Sequence, residues 1–506
     1  MRCHQLSVLS VLAAAPLANF ATPLAQPWDD LRVKHTWNAV PHNWETLGHP
    51  PAGTTIDLHL ALKPHHENAL VDALYDVSAP RSPKYVLSNT PQRTITVYSC
   101  VPLLRCRYGA HLSKEQVAQL VAPHPDTLAL INSWLEHHGV PSSSISTTQG
   151  GSGLTLTSVP VSQANELLGA EYQLYRRTGM NDSTILRTIG YALPSVLHAH
   201  VQTVVPTTYF TSTRTLLQTP RKRSAGATVD MALRGLPTDK VTPLDLRDLY
   251  KTSDYVPAAT DRNVLGITGY LGAYPSRADL TTFMTKCRTD AVDASFTVER
   301  ANGGEYDSNH PDGEANLSMQ YTQAIAYPTR HIFYSTGGKV SIHDNNNEPA
   351  RGDMWLEWLN YVLDQPNVPQ TISTSYGDYE NNLPLGYART SCNLYAQLGT
   401  RGASVIFSSG NDGVGNGDCK TNDGRVRFIP AFPVSCMCSV LFLCGSSTPS
   451  QEQVAHHIST ASQVPMSLAW AARWASTPRS WRTSLGAASR TILRALPTRT
   501  MPCPPS

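Results

Sequence analysis

Charge is scarce in this 506-residue sequence: Asp, Glu, Lys and Arg together make up 15% of it, and the formal net charge is only +2. So weak a field does not favour nucleic acid or an anionic membrane surface as a partner. After the first residues, no apolar run approaches the roughly 20 residues that a membrane span needs. The ten cysteines contain no Cys-x-x-Cys pair, which argues against a structural zinc site.

The N-terminus carries an apolar run from Leu6 to Ala21, preceded by Arg2. The run is too short for a spanning helix and has the pattern of a secretory signal. We therefore expect residues 1–21 to be a signal peptide and the protein to be secreted and extracellular; a buried N-terminal helix is the alternative. Export permits disulfides and N-glycosylation, for which Asn181 and Asn316 each begin an acceptor sequence.

Residues from about 31 to 205 predict a domain of mixed strands and helices. Apolar side chains alternate with other residues from Ile56 to Leu62, which indicates a half-buried strand. Ser113 and Gln116 form a capping-box signature before an apolar stripe, so a helix is predicted to begin there. We also predict the helix Asp126–His137, with Leu128, Ile131 and Leu135 on its buried face, and the strands Leu154–Val159 and Leu186–Ala192.

From Val241 onward, short apolar runs alternate with helical segments. Runs bounded by glycines predict strands that are buried on both faces. Alternating strands and helices predict an α/β fold, in which a parallel sheet carries helices on both faces. The predicted strands are Val264–Tyr270, Phe296–Glu299, Ile332–Tyr334, Thr371–Tyr376 and Ala403–Ser408, and the predicted helices are Glu314–Ala326, Asp353–Leu363 and Tyr387–Leu398.

A polar connector that contains Arg221, Lys222 and Arg223 separates these two regions. Basic residues in an exposed linker suit a processing endopeptidase that cuts after the pair Lys222 and Arg223. A solvated loop with incidental charge is the alternative.

Two segments contain residues suited to catalysis. In Gly313-Glu314-Ala315-Asn316-Leu317-Ser318, residues 314 and 318 are four apart on a predicted helix and therefore share one face. The second segment is Phe407-Ser408-Ser409-Gly410-Asn411. Both segments closely resemble active-site segments of the sedolisins, the serine-carboxyl peptidases that include the secreted fungal tripeptidyl peptidases. The resemblance covers about residues 31–85 and 109–436.

This resemblance implies a subtilisin-like catalytic domain with a parallel sheet, C-terminally incomplete here, preceded by a ferredoxin-like α+β propeptide domain. In sedolisins such a propeptide assists folding and blocks the cleft. The partners it implies are peptide or protein substrates, a processing endopeptidase and the chain's own propeptide. The expected division is a signal peptide (1–21), an activation propeptide (22–223), a partial catalytic domain (224–436) and an unrelated tail (437–506).

The resemblance also implies roles for three residues. Glu314 stands where the family has the general base that takes the proton from serine. A carboxylate suits that role in acid, where histidine, with a pKa of about 6.5, is protonated. Ser318 stands where the family has an aspartate that orients the base. Asn411 stands where the family has the aspartate that donates to the oxyanion, and an amide can donate there too; a turn without catalytic duty is the alternative.

The nucleophile is the missing part. The family carries it in a Gly-Thr-Ser turn roughly a hundred residues beyond the Asn411 segment, and no Gly-Thr-Ser occurs in this sequence. Ser446 and Ser447 resemble that turn only superficially, and they lie at about a third of that distance. The Asp- and Gly-rich loop that binds calcium in sedolisins is absent as well. Without a nucleophile, covalent acyl transfer has no first step.

Two segments look foreign to the resemblance. Residues 86–108 interrupt the propeptide match, and removing them would join Tyr85 directly to Gly109; we interpret them as a retained intron, with a surface loop as the alternative. The tail 437–506 has six arginines, one acidic residue and no lysine. A change of reading frame explains it better than a new domain.

The sequence thus predicts a secreted acid serine-carboxyl peptidase precursor of the tripeptidyl-peptidase type, inactive as written. Endopeptidase activity is the near alternative, since sedolisins do both. A non-catalytic secreted protein, which uses the propeptide and a partial core as a binding or inhibitory module, is the competing hypothesis.

Overall fold

A computed structural model of the protein describes residues 27–41, 43–78, 110–148, 151–178, 184–210, 214–215, 241–337, 353–408 and 430–436. We call residues 27–210 of this set the N-terminal module and residues 241–436 the core. The predictions that lie outside the described residues are the signal peptide 1–21, the insert 86–108, Asn181, Lys222, Arg223, Asn411, Ser446, Ser447 and the tail 437–506. Within the described ranges, no helix is both long enough and apolar enough to cross a bilayer.

The N-terminal module is built around a four-stranded antiparallel sheet in the order β4-β5-β3-β9. The strands of the module are β1 (Leu31–Thr36), β2 (Trp44–Gly48), β3 (Thr55–Leu62), β4 (Ile145–Thr147), β5 (Gly153–Pro160), β6 (Gln173–Arg177), β7 (Thr184–Arg187), β8 (Gly190–Pro194) and β9 (Val201–Val205). Its helices are α1 (Ala69–Ser78), α2 (Lys114–Val121), α3 (Pro125–His137) and α4 (Val161–Leu168).

The strands and helices predicted in this region are largely confirmed. Burial alternates along β3, whose side chains from Ile56 to Leu62 enter a core closed by α3 and α4. Both halves of the capping box form at α2: the backbone N–H of Gln116 donates to Ser113 Oγ (3.3 Å), and the backbone N–H of Ser113 donates to Gln116 Oε1 (2.9 Å). The helix begins where the signature placed it because two otherwise open backbone donors are satisfied there.

The buried face predicted for α3 is partly wrong. Leu128 is 38% exposed, whereas Ile131 and Leu135 are fully buried as expected. Thr127 and Trp134 complete the buried face. Positions 127, 131, 134 and 135 recur at helical spacing and form one stripe, and Leu128 lies about 100° around the helix from Thr127.

Two predicted strands are each divided in the structure. Leu186–Ala192 is split between β7 and β8 because the Thr188 hydroxyl donates to the carbonyl of Gly190 (2.8 Å) and closes a turn. Thr371–Tyr376 is split because the chain leaves the parallel sheet after Thr374 and enters a different, antiparallel sheet at Tyr376.

The core contains a five-stranded sheet in the order β12-β13-β11-β14-β16, and every neighbouring pair is parallel. Its strands, with those of a small antiparallel sheet (order β10-β15-β17), are β10 (Arg214–Thr215), β11 (Val264–Gly269), β12 (Phe296–Ala301), β13 (Arg330–Thr336), β14 (Thr371–Thr374), β15 (Tyr376–Tyr379), β16 (Ser404–Phe407) and β17 (Ala431–Phe432). The helices are α5 (Pro243–Leu249), α6 (Arg277–Cys287), α7 (Gly313–Ala326), α8 (Met354–Asp364) and α9 (Leu385–Thr400).

Helices cover both faces of the parallel sheet, as predicted. Phe333 and Tyr334 are neighbours on β13 and point to opposite faces. Phe333 packs in a cluster with side chains of α6 and α7. Tyr334 packs in a second cluster with α8 and α9, which contains the fully buried Trp355 and Trp358. The protein is therefore a mixed α/β structure with a parallel sheet in its core.

A disulfide joins Cys392 on α9 to Cys436, 44 residues later in the sequence. The bond holds the described segment 430–436, which contains β17, against the helix. Cys419 lies outside the described residues.

The N-terminal module packs on the α8 and α9 side of the core. Nε2 of His59 on β3 lies 3.0 Å from Oε1 of Glu357 on α8. The Tyr209 hydroxyl donates to Oδ2 of the buried Asp378 (2.9 Å). α1 contacts α9 so closely that a Cβ at Gly399 would lie 2.8 Å from a Leu74 methyl carbon. These contacts position the end of the module beside β15.

Candidate active site

Glu314 lies in the first turn of α7, where Asp312 caps the helix. The Asp312 Oδ1 atom accepts hydrogen bonds from the backbone N–H groups of Glu314 (2.9 Å) and Ala315 (3.1 Å). An aspartate at this place satisfies the open donors of the first turn and interacts favourably with the helix dipole. The Glu314 side chain is only 8% exposed, so it does not have the solvated position that is usual for glutamate.

The start of α7 lies at the carboxyl edge of the parallel sheet. The backbone N–H of Asp312 donates to the carbonyl of Tyr274 (2.9 Å), in the loop that follows β11. Tyr376, which comes two residues after the end of β14, contacts the same loop: its hydroxyl donates to the carbonyl of Tyr270 (3.4 Å). In parallel α/β sheets, ligands bind outside the carboxyl ends of the strands, and Glu314 lies in that region.

Tyr376 contributes a buried, uncharged side chain to this region. It is 1% exposed, and burial is the main reason why the pKa of its hydroxyl is raised above the ordinary value; the nearby carboxylates of Glu314 and Asp312 raise it further. The negative charge of Glu314 acts on the Tyr376 hydroxyl. Tyr376 therefore stays an uncharged phenol over the whole acid range.

Ser318 lies one turn after Glu314 on α7 and is half-buried. Its carbonyl accepts a hydrogen bond from the Thr322 hydroxyl (2.6 Å), as helix threonines commonly allow. The Ser318 hydroxyl is a donor and an acceptor without an acidic proton near pH 4. Whatever it contacts, it cannot share a proton with Glu314 as a second carboxyl group would.

Asn316 is engaged within the protein through both atoms of its side-chain amide. Its Oδ1 accepts from the backbone N–H of Ser276 (2.8 Å), and its Nδ2 donates to Asp279 Oδ2 (2.7 Å), which ties α7 to the start of α6. A glycan on Nδ2 would replace one of the two protons of an amide nitrogen that is already held by Asp279. Glycosylation at Asn316, like that at Asn181, stays a prediction.

The segment that leads to Asn411 leaves the sheet at the same edge. β16 runs parallel to β14 with Phe407 opposite Thr374, and the backbone N–H of Ser408 donates to the carbonyl of Thr374 (3.1 Å). Ser408 is the last described residue before Asn411. The chain therefore heads towards Asn411 from a strand whose carboxyl end adjoins that of β14 and hence Tyr376.

The calcium ion that the resemblance implies has no cluster of acidic ligands in the part of the chain that the structure describes. No group of three or more His, Cys, Asp or Glu side chains there is arranged to hold a metal ion. The described residues do not fit the ion that the resemblance implies, and no step below depends on it.

Sequence reasoning missed two residues of this site, Asp312 and Tyr376. A signal existed for Asp312, because an aspartate directly before the helical pattern that starts at Gly313 is a helix-capping signature. None existed for Tyr376, because its place at the site depends on the chain leaving β14 and turning into β15.

Comparisons with known proteins show the family of this chain. Residues 105–210 match the family model described as the Pro-kumamolisin activation domain. The tripeptidyl-peptidase SED2 of Arthroderma otae is 31% identical over 439 residues, which are 83% of this chain and 68% of that protein. The probable tripeptidyl-peptidase SED2 of Arthroderma benhamiae is 32% identical over the same shares.

A solved structure, Pseudomonas sedolisin complexed with two molecules of pseudo-iodotyrostatin, is 20% identical, covers 39% of this chain and 52% of its own, and has a TM-score of 0.30. The sequence relatives, at more than 30% identity over two thirds of their length, carry the assignment. The chain belongs to the sedolisin family of serine-carboxyl peptidases and includes the family's propeptide.

Proposed function

We propose that this chain is a secreted acid serine-carboxyl peptidase precursor of the tripeptidyl-peptidase type, with Glu314 as its general base, and that it is inactive as written. The observation that carries the proposal is the burial of Glu314 in the first turn of α7, at the carboxyl edge of a parallel sheet. The activity of the relatives supports the release of N-terminal tripeptides as the ancestral reaction.

The proposed chemistry uses a carboxylate where other serine peptidases use histidine. Below about pH 6 histidine is protonated and cannot accept the proton of an attacking hydroxyl, whereas a carboxylate with a pKa near 4 still can. Ser318 stands in place of an acid, and its hydroxyl cannot take up or return a proton as a second carboxyl group would. We therefore expect a slower proton transfer even where a nucleophile is available.

Asn411 is the proposed donor to the oxyanion. A side-chain amide donates without needing protonation, so its contribution does not fall as pH rises. Removing one such donor typically raises the barrier by about 2.7–4 kcal/mol. The position of β16 beside β14 supports this role, since the chain to Asn411 starts at the edge where Glu314 lies.

The fold within the proposal is a ferredoxin-like propeptide on a subtilisin-like core. Support for the first comes from the connectivity of β3, β4, β5 and β9, with helices between β3 and β4 and between β5 and β9, in the sheet order β4-β5-β3-β9. Support for the second comes from the parallel sheet with helices on both faces.

The chain itself is the proposed occupant of the cleft before processing. The backbone of β10, just after the N-terminal module, pairs antiparallel with β15, with Thr215 opposite Tyr376. An extended strand next to Tyr376 lies where a peptide substrate would add to the same edge. Cleavage after Lys222 and Arg223 would leave this strand attached to the N-terminal module and cut the covalent link between both and the core.

A non-catalytic role is the second candidate, favoured by one specific observation: no Gly-Thr-Ser sequence exists in the 506 residues. Without the attacking hydroxyl, the site can bind a peptide but cannot form an acyl-enzyme.

The proposal also includes the domain division into 22–223 and 224–436, the retained intron at 86–108 and the change of reading frame at 437–506. Reading the genomic DNA after Cys436 in all three frames distinguishes a defective gene model, which has Gly-Thr-Ser in another frame, from a degenerate copy, which lacks it.

The biochemical test is an assay of the purified chain on tripeptide-aminomethylcoumarin substrates between about pH 3 and pH 6, before and after cleavage of the basic linker. We expect no release of the fluorophore in either state. Release that Glu314→Gln abolishes, and that the exposed control Glu305→Gln retains, would refute the claimed inactivity. Release that survives Glu314→Gln would refute the role of Glu314.

A further inference from the structure

A cleft of about 280 Å³ lies between the N-terminal module and the start of α9. The module contributes Lys34 and Lys63 to its wall, and the core contributes Arg389. The single carboxylate among its lining residues is that of Glu67. Three basic side chains therefore face one carboxylate where the N-terminal module meets the core.

The positive charge of the cleft is not neutralised by ion pairs within the described residues. The ion pairs of that part of the chain involve none of Lys34, Lys63 and Arg389. Lys34 Nζ donates to a backbone carbonyl, that of Val201 (2.6 Å), which leaves two of its three protons for another acceptor. Burial and, to a smaller extent, the charge of Lys63 lower the pKa of Lys34 to about 8.

Other donors line the same cleft. The first residues of α9, Leu385 and Gly386, form part of the wall, and the residue before them, Pro384, caps the helix without a side-chain hydrogen bond. His35 also lines the cleft, and its Nδ1 atom is buried without a hydrogen-bond partner within the described ranges. The cleft thus combines basic side chains with the N-terminal turn of a helix, a composition that suits an oxyanion.

We propose that this cleft binds a small multivalent oxyanion of the phosphate or sulfate class, held between Lys34 and Lys63 of the module and Arg389 of the core. Because both parts contribute cations, the anion joins them and favours the state in which the module is attached. A ligand that binds only this state stabilises it by mass action. The site is separate from Glu314, which lies on the opposite face of the parallel sheet.

The test measures the Tm of the full chain in phosphate, in sulfate and in chloride at matched ionic strength. Because phosphate and sulfate also stabilise proteins by exclusion from their surface, the informative comparison is between variants. Lys63→Gln with Arg389→Gln removes two cleft cations, and Lys286→Gln with Arg330→Gln removes two exposed cations elsewhere in the core.

We expect a saturable rise in Tm with phosphate or sulfate for the wild type and the exposed double variant. The cleft double variant should need about tenfold or more anion for the same rise, because the loss of one charge-assisted hydrogen bond has at least that effect. Equal rises in both double variants, or no rise beyond that in chloride, would overturn the proposal. If the cleft variant does not fold, calorimetric titration of the wild type with sulfate decides: saturable binding supports the site, and its absence overturns it.

Discussion

Nε2 of His59, on β3 of the N-terminal module, lies 3.0 Å from Oε1 of Glu357, on α8 of the core. Both side chains are mostly buried, at 18% and 19% exposed. Burial by itself would lower the pKa of His59, but the hydrogen bond to Glu357 and the charges of Glu357, Asp57 and Asp353 outweigh it and raise the pKa. The attachment of the module to the core therefore depends on a titrating contact.

The first prediction concerns this contact. A raised pKa in the folded state gives a stabilisation that is complete below the unfolded value of 6.5 and declines as pH rises through the folded pKa. At pH 5, Glu357→Gln should lower the free energy of unfolding by about 2 kcal/mol, the contribution of a hydrogen bond to a charged group. Urea melts at pH 5 and pH 8 measure this, and the variant should differ less at pH 8.

The control for that prediction is Arg176→Gln. This variant removes an exposed ion pair within the module, in which Arg176 Nη2 lies 2.8 Å from Glu45 Oε1. Exposed pairs contribute little, so this variant should stay within about 0.5 kcal/mol of the wild type. An unchanged urea midpoint for Glu357→Gln at pH 5 would contradict the prediction.

The second prediction concerns His331 on β13, which is 2% exposed. Burial lowers its pKa from 6.5 to about 4, although its hydrogen bond to the Thr329 carbonyl opposes the change. A depressed folded pKa gives a stabilisation that is present above 6.5 and is lost as pH falls through about 4. The wild type should therefore lose about 3 kcal/mol more than His331→Asn between pH 7 and pH 4.

Thermal melts across that pH range measure the difference. The exposed His49 is the control, because His49→Asn removes an imidazole that is not buried. If the wild type and His331→Asn lose the same free energy of unfolding as pH falls, the buried imidazole does not cause the loss of stability in acid, and the prediction is contradicted.

The third prediction concerns the disulfide between Cys392 and Cys436. Closing a loop of 44 residues restricts the unfolded chain by about 4 kcal/mol in the chain-entropy model. Replacing both cysteines with serine should lower the free energy of unfolding by about 2–4 kcal/mol. Reductant should destabilise the wild type by a similar amount and leave the double variant unchanged; an equal effect of reductant on both proteins would contradict the assignment of this bond.

The fourth prediction concerns Asn316, whose amide joins α7 to Ser276 and Asp279. Asn316→Ala should destabilise the protein by about 1–3 kcal/mol, because it leaves a half-buried backbone donor and a carboxylate without this partner. Asn309→Ala, at an exposed loop position nearby, is the matched control and should stay close to the wild type. Equal denaturation midpoints for the two variants would contradict a structural role for Asn316.

Much of the fold was predictable because its signals are local. The alternation along β3, the capping box at Ser113 and the runs that became β11, β13 and β16 depend on nearby residues alone. The breaks at Thr188 and after Thr374 were missed because they depend on a turn hydrogen bond and on a partner strand elsewhere in the chain. Leu128 was misplaced because the period of a helix does not say which stripe faces the sheet.

The candidate site was predictable to a different extent. Glu314 was found through its segment, and its burial agrees with the role that the family implies. Tyr376 was missed because its place at the site depends on which strands lie side by side in the sheet. That order is set by contacts between residues far apart in the sequence. The cationic cleft was missed for the same reason: Arg389 lies more than three hundred positions after Lys34 and Lys63, and it meets them only because the module packs on α9.

The central claim is that Glu314 and Asn411 belong to one proteolytic centre. A crystal structure of this chain tests it most directly, through the distance between the Glu314 carboxylate and the Asn411 side-chain amide. Contacts of about 3 Å from base to nucleophile, nucleophile to substrate carbon and oxyanion to donor place the two groups within about 9 Å of each other. We predict such a distance, with both groups facing one cleft. Side chains on opposite faces of the sheet, or an Asn411 turned into solvent, would contradict the account.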